Sequence, residues 1–534
     1  MGTWRSGADE PAADAEGLRA ALIKLNEPFY VLDTDHGPAA AAGGAAVFGP
    51  GGEGLPVLAH APAGLPAALG DPAFLRDHGL RFAYVSGAMA NGIGSAEICE
   101  ALAREGMLGF FGAAGLTPAV VEQAIDRLQS SLDGLPYGCN LIHSPNEPDL
   151  EDAITELYIR KGVRRVEASA FMGLTPAIVR YRAQGLRRAD DGSITAPNRV
   201  VAKVSRVEVA EKFFSPAPAG MLRELAAAGR ITAQEVELAA HIPVAQDLTV
   251  EADSGGHTDG RPLVTLLPTM ISLRDRLQER FGYADALRVG AAGGISTPLA
   301  AASAFAMGAA YVLLGSAHQA CVESGSCDAV RRMLAECGQA DTATAPAADM
   351  FELGAKVQVL KRGTMFAMRA AKLYELYHAC AGLDAIPAAE RSLLERQVFL
   401  APLEDIWTQT RAFFAVRDPA QIVRAEADPK HRMALVFRWY LGQASRWANA
   451  GEPSRRIDYQ IWCGPAMGAF NEWAKGTFLE RPENRRIVDV AKNILFGAAL
   501  QSRLNILRSQ GVVFPRAAAT IRPVASSVLE EYFR

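Results

Sequence analysis

Three times in this chain a short apolar stretch gives way to a threonine–proline pair: Leu116-Thr117-Pro118, Leu174-Thr175-Pro176 and Ser296-Thr297-Pro298. Threonine can cap a helix with its hydroxyl. Proline suits the first helical position, where a missing N–H costs nothing. Each pair therefore marks a strand handing over to a helix through a short loop. The apolar runs themselves read as eight strands: 82–85, 108–111, 138–142, 165–168, 199–204, 244–250, 287–290 and 311–314. Each is short and apolar, several are rich in β-branched or aromatic residues, and helical patterns recur between them. Eight such units over roughly 240 residues match a (β/α)8 barrel in size and order. A doubly wound sheet would carry GxGxxG after its first strand, and that fingerprint is absent.

The expected organisation is an N-terminal accessory segment (1–75), a barrel (76–340) and a large α-helical region (341–534). In the first segment 29–33 reads as a short strand, and the small residues of 39–54 read as turn or linker. Beyond about residue 340 strand signals fade, and 353–378 reads as one long helix bearing Lys356, Lys361, Arg362, Arg369 and Lys372. Helical patterns return at 391–398, 419–427, 431–447 and 484–509. Such a region is too long for a barrel loop, so it must cover something or bind a partner.

Composition narrows the function classes. A formal net charge of −5 leaves no basic footprint for nucleic acid. Seven scattered cysteines without a CxxC argue against a disulfide framework and for a reducing cytoplasm. The first residues lack the apolar core of a signal peptide. The most apolar stretch, 298–317, divides into a helix and a strand, so no membrane span is expected. No HExxH, Walker lysine or GxSxG elbow is present, which leaves no metal site, nucleotide triphosphatase or serine hydrolase to expect.

Chemistry in a barrel sits where the strands end. The loop 87–92 there contains Ala88 and Met89 among small residues, as a tight turn or as a backbone that can lie along a planar ring. Asn140 ends the third strand, as a structural amide or as a hydrogen-bonding partner for a heterocycle. Lys203 interrupts an apolar run. It either stabilises negative charge on a cofactor or pairs with Glu167 or Glu251. The stretch Glu251-Ala252-Asp253-Ser254-Gly255-Gly256-His257 follows the sixth strand and puts a histidine behind two permissive glycines. Ala292-Gly293-Gly294 and Gly315-Ser316 follow the seventh and eighth strands, where barrels commonly bind phosphate.

These motifs together resemble the flavin-binding set of nitronate monooxygenases (2-nitropropane dioxygenases) and flavin-dependent enoyl reductases. Further stretches (85–95, 140–145, 166–170, 351–366, 459–471 and 485–511) are similar to PfaD-type trans-acting enoyl reductases of polyketide and polyunsaturated fatty acid synthases. The resemblance implies FMN across the barrel mouth, its phosphate on Gly293, Gly294, Gly315 and Ser316. Ala88 and Met89 would back the ring, and Asn140 and Lys203 would meet its pyrimidine edge. Glu251, Ser254, Gly255 and Ala292 would complete the cofactor site. It implies NADPH as reductant, and His257 as proton donor or carbonyl polariser, with Lys203 favouring the anionic reduced cofactor. The partner would be an acyl carrier protein bearing an enoyl thioester; by their charge, Lys356, Lys361, Arg362, Arg369 and Lys372 form either a docking face for such an acidic carrier or a solvated helix face. A homodimer is common for such barrels. The alternative activity within the same resemblance is oxidation of nitroalkanes with oxygen.

Overall fold

The computed structural model describes every residue except Met1, Ala8, Asp9, Pro50, Gly51, Asn146 and Arg534. Eight strands close into a barrel: β1 (Tyr84–Ser86), β2 (Leu108–Phe111), β3 (Gly138–Ile142), β4 (Arg165–Ser169), β5 (Arg199–Val204), β6 (Asp247–Glu251), β7 (Arg288–Ala292) and β8 (Val312–Leu314). All neighbours are parallel, and β8 closes on β1 with Val312 opposite Tyr84. These are the runs read from sequence, displaced by no more than three residues at any end. Every residue of β2 and of β7 is buried, as expected of strands covered on both faces. Thr175 and Thr297 cap their helices, accepting from the N–H of Ile178 and Ala300. Thr117 makes no such side-chain bond, so that helix start relies on Pro118.

The end of the barrel where the strands begin is plugged by the helix Pro72–His78. Phe74 stacks on Tyr311 at 4.2 Å. Asp247 accepts from Arg288 at 2.5 and 3.1 Å and faces Nε2 of His78 at 2.9 Å. Asp77 takes another N–H of Arg288 at 2.7 Å. Burial would raise the Asp247 carboxyl, but His78 and Arg288 outweigh it and hold it well below the usual carboxylate range.

The N-terminal segment is not linker-like. Strands Gly2–Arg5, Phe29–Thr34, Gly37–Ala42, Ala45–Phe48 and Leu55–Ala61 form one five-stranded sheet. The small residues Ala39–Ala42 are buried in it, because alanine side chains let neighbouring layers approach closely. Pro50 and Gly51 of the expected linker lie outside the described residues. The segment docks on the helix Ile487–Ser509, whose Arg503 donates to the carbonyls of Leu22, Lys24 and Glu27. That helix also packs on Pro298–Ala306, and Gly497 makes the approach possible. A Cβ there would stand 2.6 Å from Pro298.

The expected long helix over 353–378 is also corrected. Thr342–Pro346 and Lys356–Leu360 are antiparallel strands, and helix begins only at Phe366. Val357 and Val359 are buried with the less buried Gln358 between them, the alternation of a strand. The short strand Gly256–His257 adds to their edge, making a three-stranded sheet. Helices Leu403–Arg417, Pro419–Ala427 and Pro429–Ala450 follow, and the last packs Met433, Phe437 and Tyr440 against Phe351 and Phe366. Among the described residues no helix is long and apolar enough to cross a membrane.

Candidate active site

A cavity of about 730 Å³ opens where the barrel strands end. That volume is ordinary for a small-molecule site. Every residue expected to hold the cofactor or act on substrate lines it: Ala88 and Met89 after β1, Asn140 on β3, Lys203 on β5, Glu251, Ser254, Gly255 and His257 after or at the end of β6, Ala292, Gly293 and Gly294 after β7, and Gly315 and Ser316 after β8.

Lys203 is not a lone cation. Its Nζ lies 3.2 Å from Glu251 and 3.8 Å from Glu167, so both open pairings exist at once. Burial disfavours the ammonium, but the two carboxylates outweigh it and its pKa is raised. Glu167 is fully buried and accepts from the Ala88 N–H at 3.1 Å. Its carboxyl is raised to about 6, and burial is the main cause. Lys203 pulls it down, and the charge of Glu251 pushes it up again. Lys203's charge is therefore largely spent inside the protein. Asn140 donates to the Glu167 carbonyl at 3.0 Å and to Ser169 Oγ at 2.8 Å. Among the described residues only its side-chain carbonyl is left for a ligand.

The loops after β7 and β8 leave room. Gly293 and Gly294 have φ of +85° and +73°, which β-carbon-bearing residues rarely adopt. A Cβ on Gly293 would strike the backbone of Ala252 at 2.6 Å, whereas Cβ atoms on Gly294 or Gly315 would meet nothing within 4 Å. The hydroxyls of Ser254 and Ser296 are buried without a hydrogen-bond partner among the described residues. The opposite side is roofed by the C-terminal chain. The backbone of Cys463 passes so near Gly255 that a Cβ there would lie 2.9 Å from its nitrogen, and the amide of Gly464 reaches Ser316 Oγ at 3.4 Å.

His257 enters from the edge strand paired with Val357, and its Nε2 lies 3.1 Å from Asp349 Oδ1. Burial lowers the imidazole pKa, but Asp349 and Glu251 outweigh burial and Lys203, so the net shift is upward.

Sequence reasoning missed Asp349 and the wall supplied by the helical region: Phe413 and Phe414 from Leu403–Arg417, and Arg438, Trp439 and Arg446 from Pro429–Ala450. No local signal marks them, because they are brought over the mouth only by the path of the chain. Arg417 clamps Glu147 of the β3 loop, and Ser445 accepts from Asn91 at 3.0 Å, which fixes this wall to the barrel. Of the five basic residues expected to dock a carrier, Arg369 engages Asp458, Lys372 engages Glu390 at 3.3 Å and Arg362 engages Asp341 at 3.6 Å. Lys356 and Lys361 are exposed.

Comparison with known proteins agrees with this geometry. A family model described as nitronate monooxygenase matches residues 78–385, more than half of the chain. A second, described as the inserted helical domain of [acyl-carrier-protein] S-malonyltransferase, matches residues 380–459. A polyunsaturated fatty acid synthase protein of Thraustochytrium sp. is 49% identical over 448 residues, which cover 83% of this chain and 30% of that protein. Polyketide biosynthesis protein PksE of Bacillus subtilis is 46% identical over 440 residues, 82% of this chain and 57% of its own. The chain thus spans a minor part to just over half of these two relatives. Among solved structures, the enoyl reductase domain of MlnA from the macrolactin cluster of Bacillus amyloliquefaciens is 39% identical with a TM-score of 0.79, covering 83% of this chain and all of that one. The chain therefore belongs to the nitronate monooxygenase family, in its PfaD-type branch with the enoyl reductase domain of MlnA.

Proposed function

We propose that this chain reduces the α,β double bond of enoyl thioesters carried on an acyl carrier protein, with FMN as cofactor and NADPH as reductant, in trans to a polyketide or polyunsaturated fatty acid synthase. The observation that carries this reading is the make-up of the cavity wall. Small-residue loops after β7 and β8 form one part and apolar residues of the helical region another, and His257 lines the same space. A nitroalkane would not need the second part, whereas an acyl chain on a carrier arm would. The similarity of residues 380–459 to a helical domain of a carrier-protein transferase, and of the barrel to a solved enoyl reductase domain, supports the same reading.

The residues fit a flavin phosphate. Gly294 and Gly315 leave open space where a Cβ would stand, and the unpartnered hydroxyl of Ser254, which lines the cavity, supplies a donor. Gly293, Gly294, Gly315 and Ser316 would hold the phosphate. Ala88 and Met89 would back the ring, with the Asn140 carbonyl and Lys203 at its polar edge and Glu251, Ser254, Gly255 and Ala292 completing the site. When bound, the flavin would supply the hydride for the β-carbon, taken from NADPH. His257 would supply the proton for the α-carbon, since imidazole titrates near working pH. Glu251 and Glu167 would keep Lys203 charged and in place. Phe413, Phe414 and Trp439 of that wall would exclude water from the acyl chain.

Gly315→Val tests the cradle, because Gly315 has a negative φ of −130° and a Cβ there meets nothing within 4 Å. It is expected to weaken FMN binding about tenfold or more, that is by at least about 1.4 kcal/mol. Fluorescence titration of the apoprotein measures this, with its melting temperature as the folding control. Unchanged affinity would move the phosphate away from this loop.

The reading as a whole is tested with the purified protein under anaerobic conditions. A flavin spectrum bleached by NADPH and restored by a crotonyl thioester is expected. Bleaching that only oxygen reverses, with turnover of a nitronate, would instead establish the activity in the family's name. Absence of flavin uptake would overturn both.

A further inference from the structure

His257 and Asp349 lie 92 residues apart in the chain, yet one small sheet carries both, His257 on its edge strand and Asp349 in the connection between its other two strands. We propose that Asp349 is a positioning residue that fixes the tautomer of His257, so that Nδ1, and not Nε2, hands the proton to the substrate. The proposal rests on the enoyl reductase reading and adds to it a second residue and a particular nitrogen.

The geometry is set locally. His257 is held by backbone pairing to Val357, and Gly256 by pairing to Gln358. The strand Lys356–Leu360 pairs in turn with Thr342–Pro346, and Asp349 sits in the connection between them. That connection is closed by Ala347 N–H to Ala355 O at 2.9 Å, anchored by the fully buried Phe351, and turned by Met350 N–H to Asp349 Oδ1 at 3.0 Å. Both partners thus hang from the same three strands, and Phe351 braces the connection against Phe437 of the helix Pro429–Ala450.

The chemistry follows from what each group can do. An ionised carboxylate only accepts hydrogen bonds. The Asp349 carboxyl is held below its usual range because the His257 bond and charge outweigh the effect of burial. Nε2 therefore keeps its hydrogen in both the charged and neutral ring. Nδ1 makes no hydrogen bond among the described residues, so it is the nitrogen that gains and loses the proton. In the step, hydride adds to the β-carbon and its electron pair displaces the C=C π pair onto the α-carbon and thioester carbonyl. That pair takes the hydrogen from Nδ1, whose N–H electrons return to the ring. His257 is left neutral with Nε2–H on Asp349, and a solvent proton reloads Nδ1. The charged groups that face the imidazole are Asp349 from the connection, Glu251 from β6 and Lys203 from β5. Asp349 and Glu251 favour the loaded ring, and Lys203 opposes it.

The test uses the full, flavin-loaded chain with Asp349→Asn and Asp349→Glu, and His257→Gln to assign the imidazole signal. Two quantities are read: the His257 pKa by NMR titration and the pH profile of kcat. A general acid must be protonated, so kcat falls as pH rises through its pKa. Asp349→Asn is expected to lower the His257 pKa by about one unit. The falling limb of kcat should move down with it, and kcat should drop about tenfold with KM little changed. Asp349→Glu should restore most of both. A His257 pKa unmoved in Asp349→Asn, or a limb that stays while the pKa moves, overturns the proposal. The NMR arm needs no turnover. If the imidazole follows Asp349 but the parent chain reduces no enoyl thioester, the reaction assignment falls and the pairing stands.

Discussion

Replacing His257 by alanine is expected to lower enoyl thioester reduction by about 10²–10⁴-fold, the usual contribution of a positioned general acid. In free energy of activation that is about 3–5 kcal/mol. The reductive half-reaction with NADPH is expected to persist, because no proton need reach a carbon there. The variant should keep its local fold, since the loop is placed by backbone pairing of His257 with Val357 and by the tight passage of Cys463 over Gly255. The imidazole itself is partly exposed to the cavity, so its loss leaves no void in the core. Stopped-flow traces of the two half-reactions separate the effects. An oxidative half-reaction slowed by less than about tenfold would fall below the range for a general acid and assign the proton to solvent.

Asp247→Ala is expected to destabilise the fold by about 3–5 kcal/mol, the cost of breaking a buried ion pair by removing one partner. Asp247 and Arg288 are each 1% exposed in their side chains, and His78 is fully buried. The substitution leaves Arg288 with Asp77 alone and His78 with no carboxylate. Asp247 begins β6 and Glu251 ends it, so the lesion sits at the far end of the strand from the cavity. FMN binding per folded molecule should survive, and a denaturant titration should carry the whole effect. The pH dependence has a definite sign. The folded pKa of Asp247 is depressed, so its contribution is complete above the unfolded value of about 3.9 and is lost as pH falls below it. Parent and variant should therefore converge in acid. Equal stability at neutral pH would show that the Arg288–Asp77 pair suffices.

The barrel was legible because its signals are local. An apolar run of four to seven residues followed by Thr-Pro dictates strand then helix whatever lies elsewhere, as at β2, β4 and β7. The cavity lining on the barrel side was legible for the same reason, since a residue at the C-terminal end of a barrel strand faces the mouth. Signals weakened where short elements depend on partners. The alanines of 39–42 carry no strand propensity of their own and become strand only by pairing with Phe29–Thr34. Lys356–Leu360 was read within a helix because charged residues around it imitate helical spacing. Its true partners, Thr342–Pro346 and Gly256–His257, are supplied by pairing.

What the sequence determined by itself, then, was the order of strands and helices, the closure class and the small residues that leave space at the mouth. These follow from steric and capping rules that act over a few residues. Only the tertiary structure decided the electrostatics of the site. It set Lys203 between Glu251 and Glu167, spent the Asn140 amide on β4, and brought Asp349 to His257. It also laid Phe413, Trp439 and Arg446 over the cavity from more than a hundred residues downstream of His257. Charge pairing and burial depend on distance in space, and separation along the chain does not report that distance until the fold has formed.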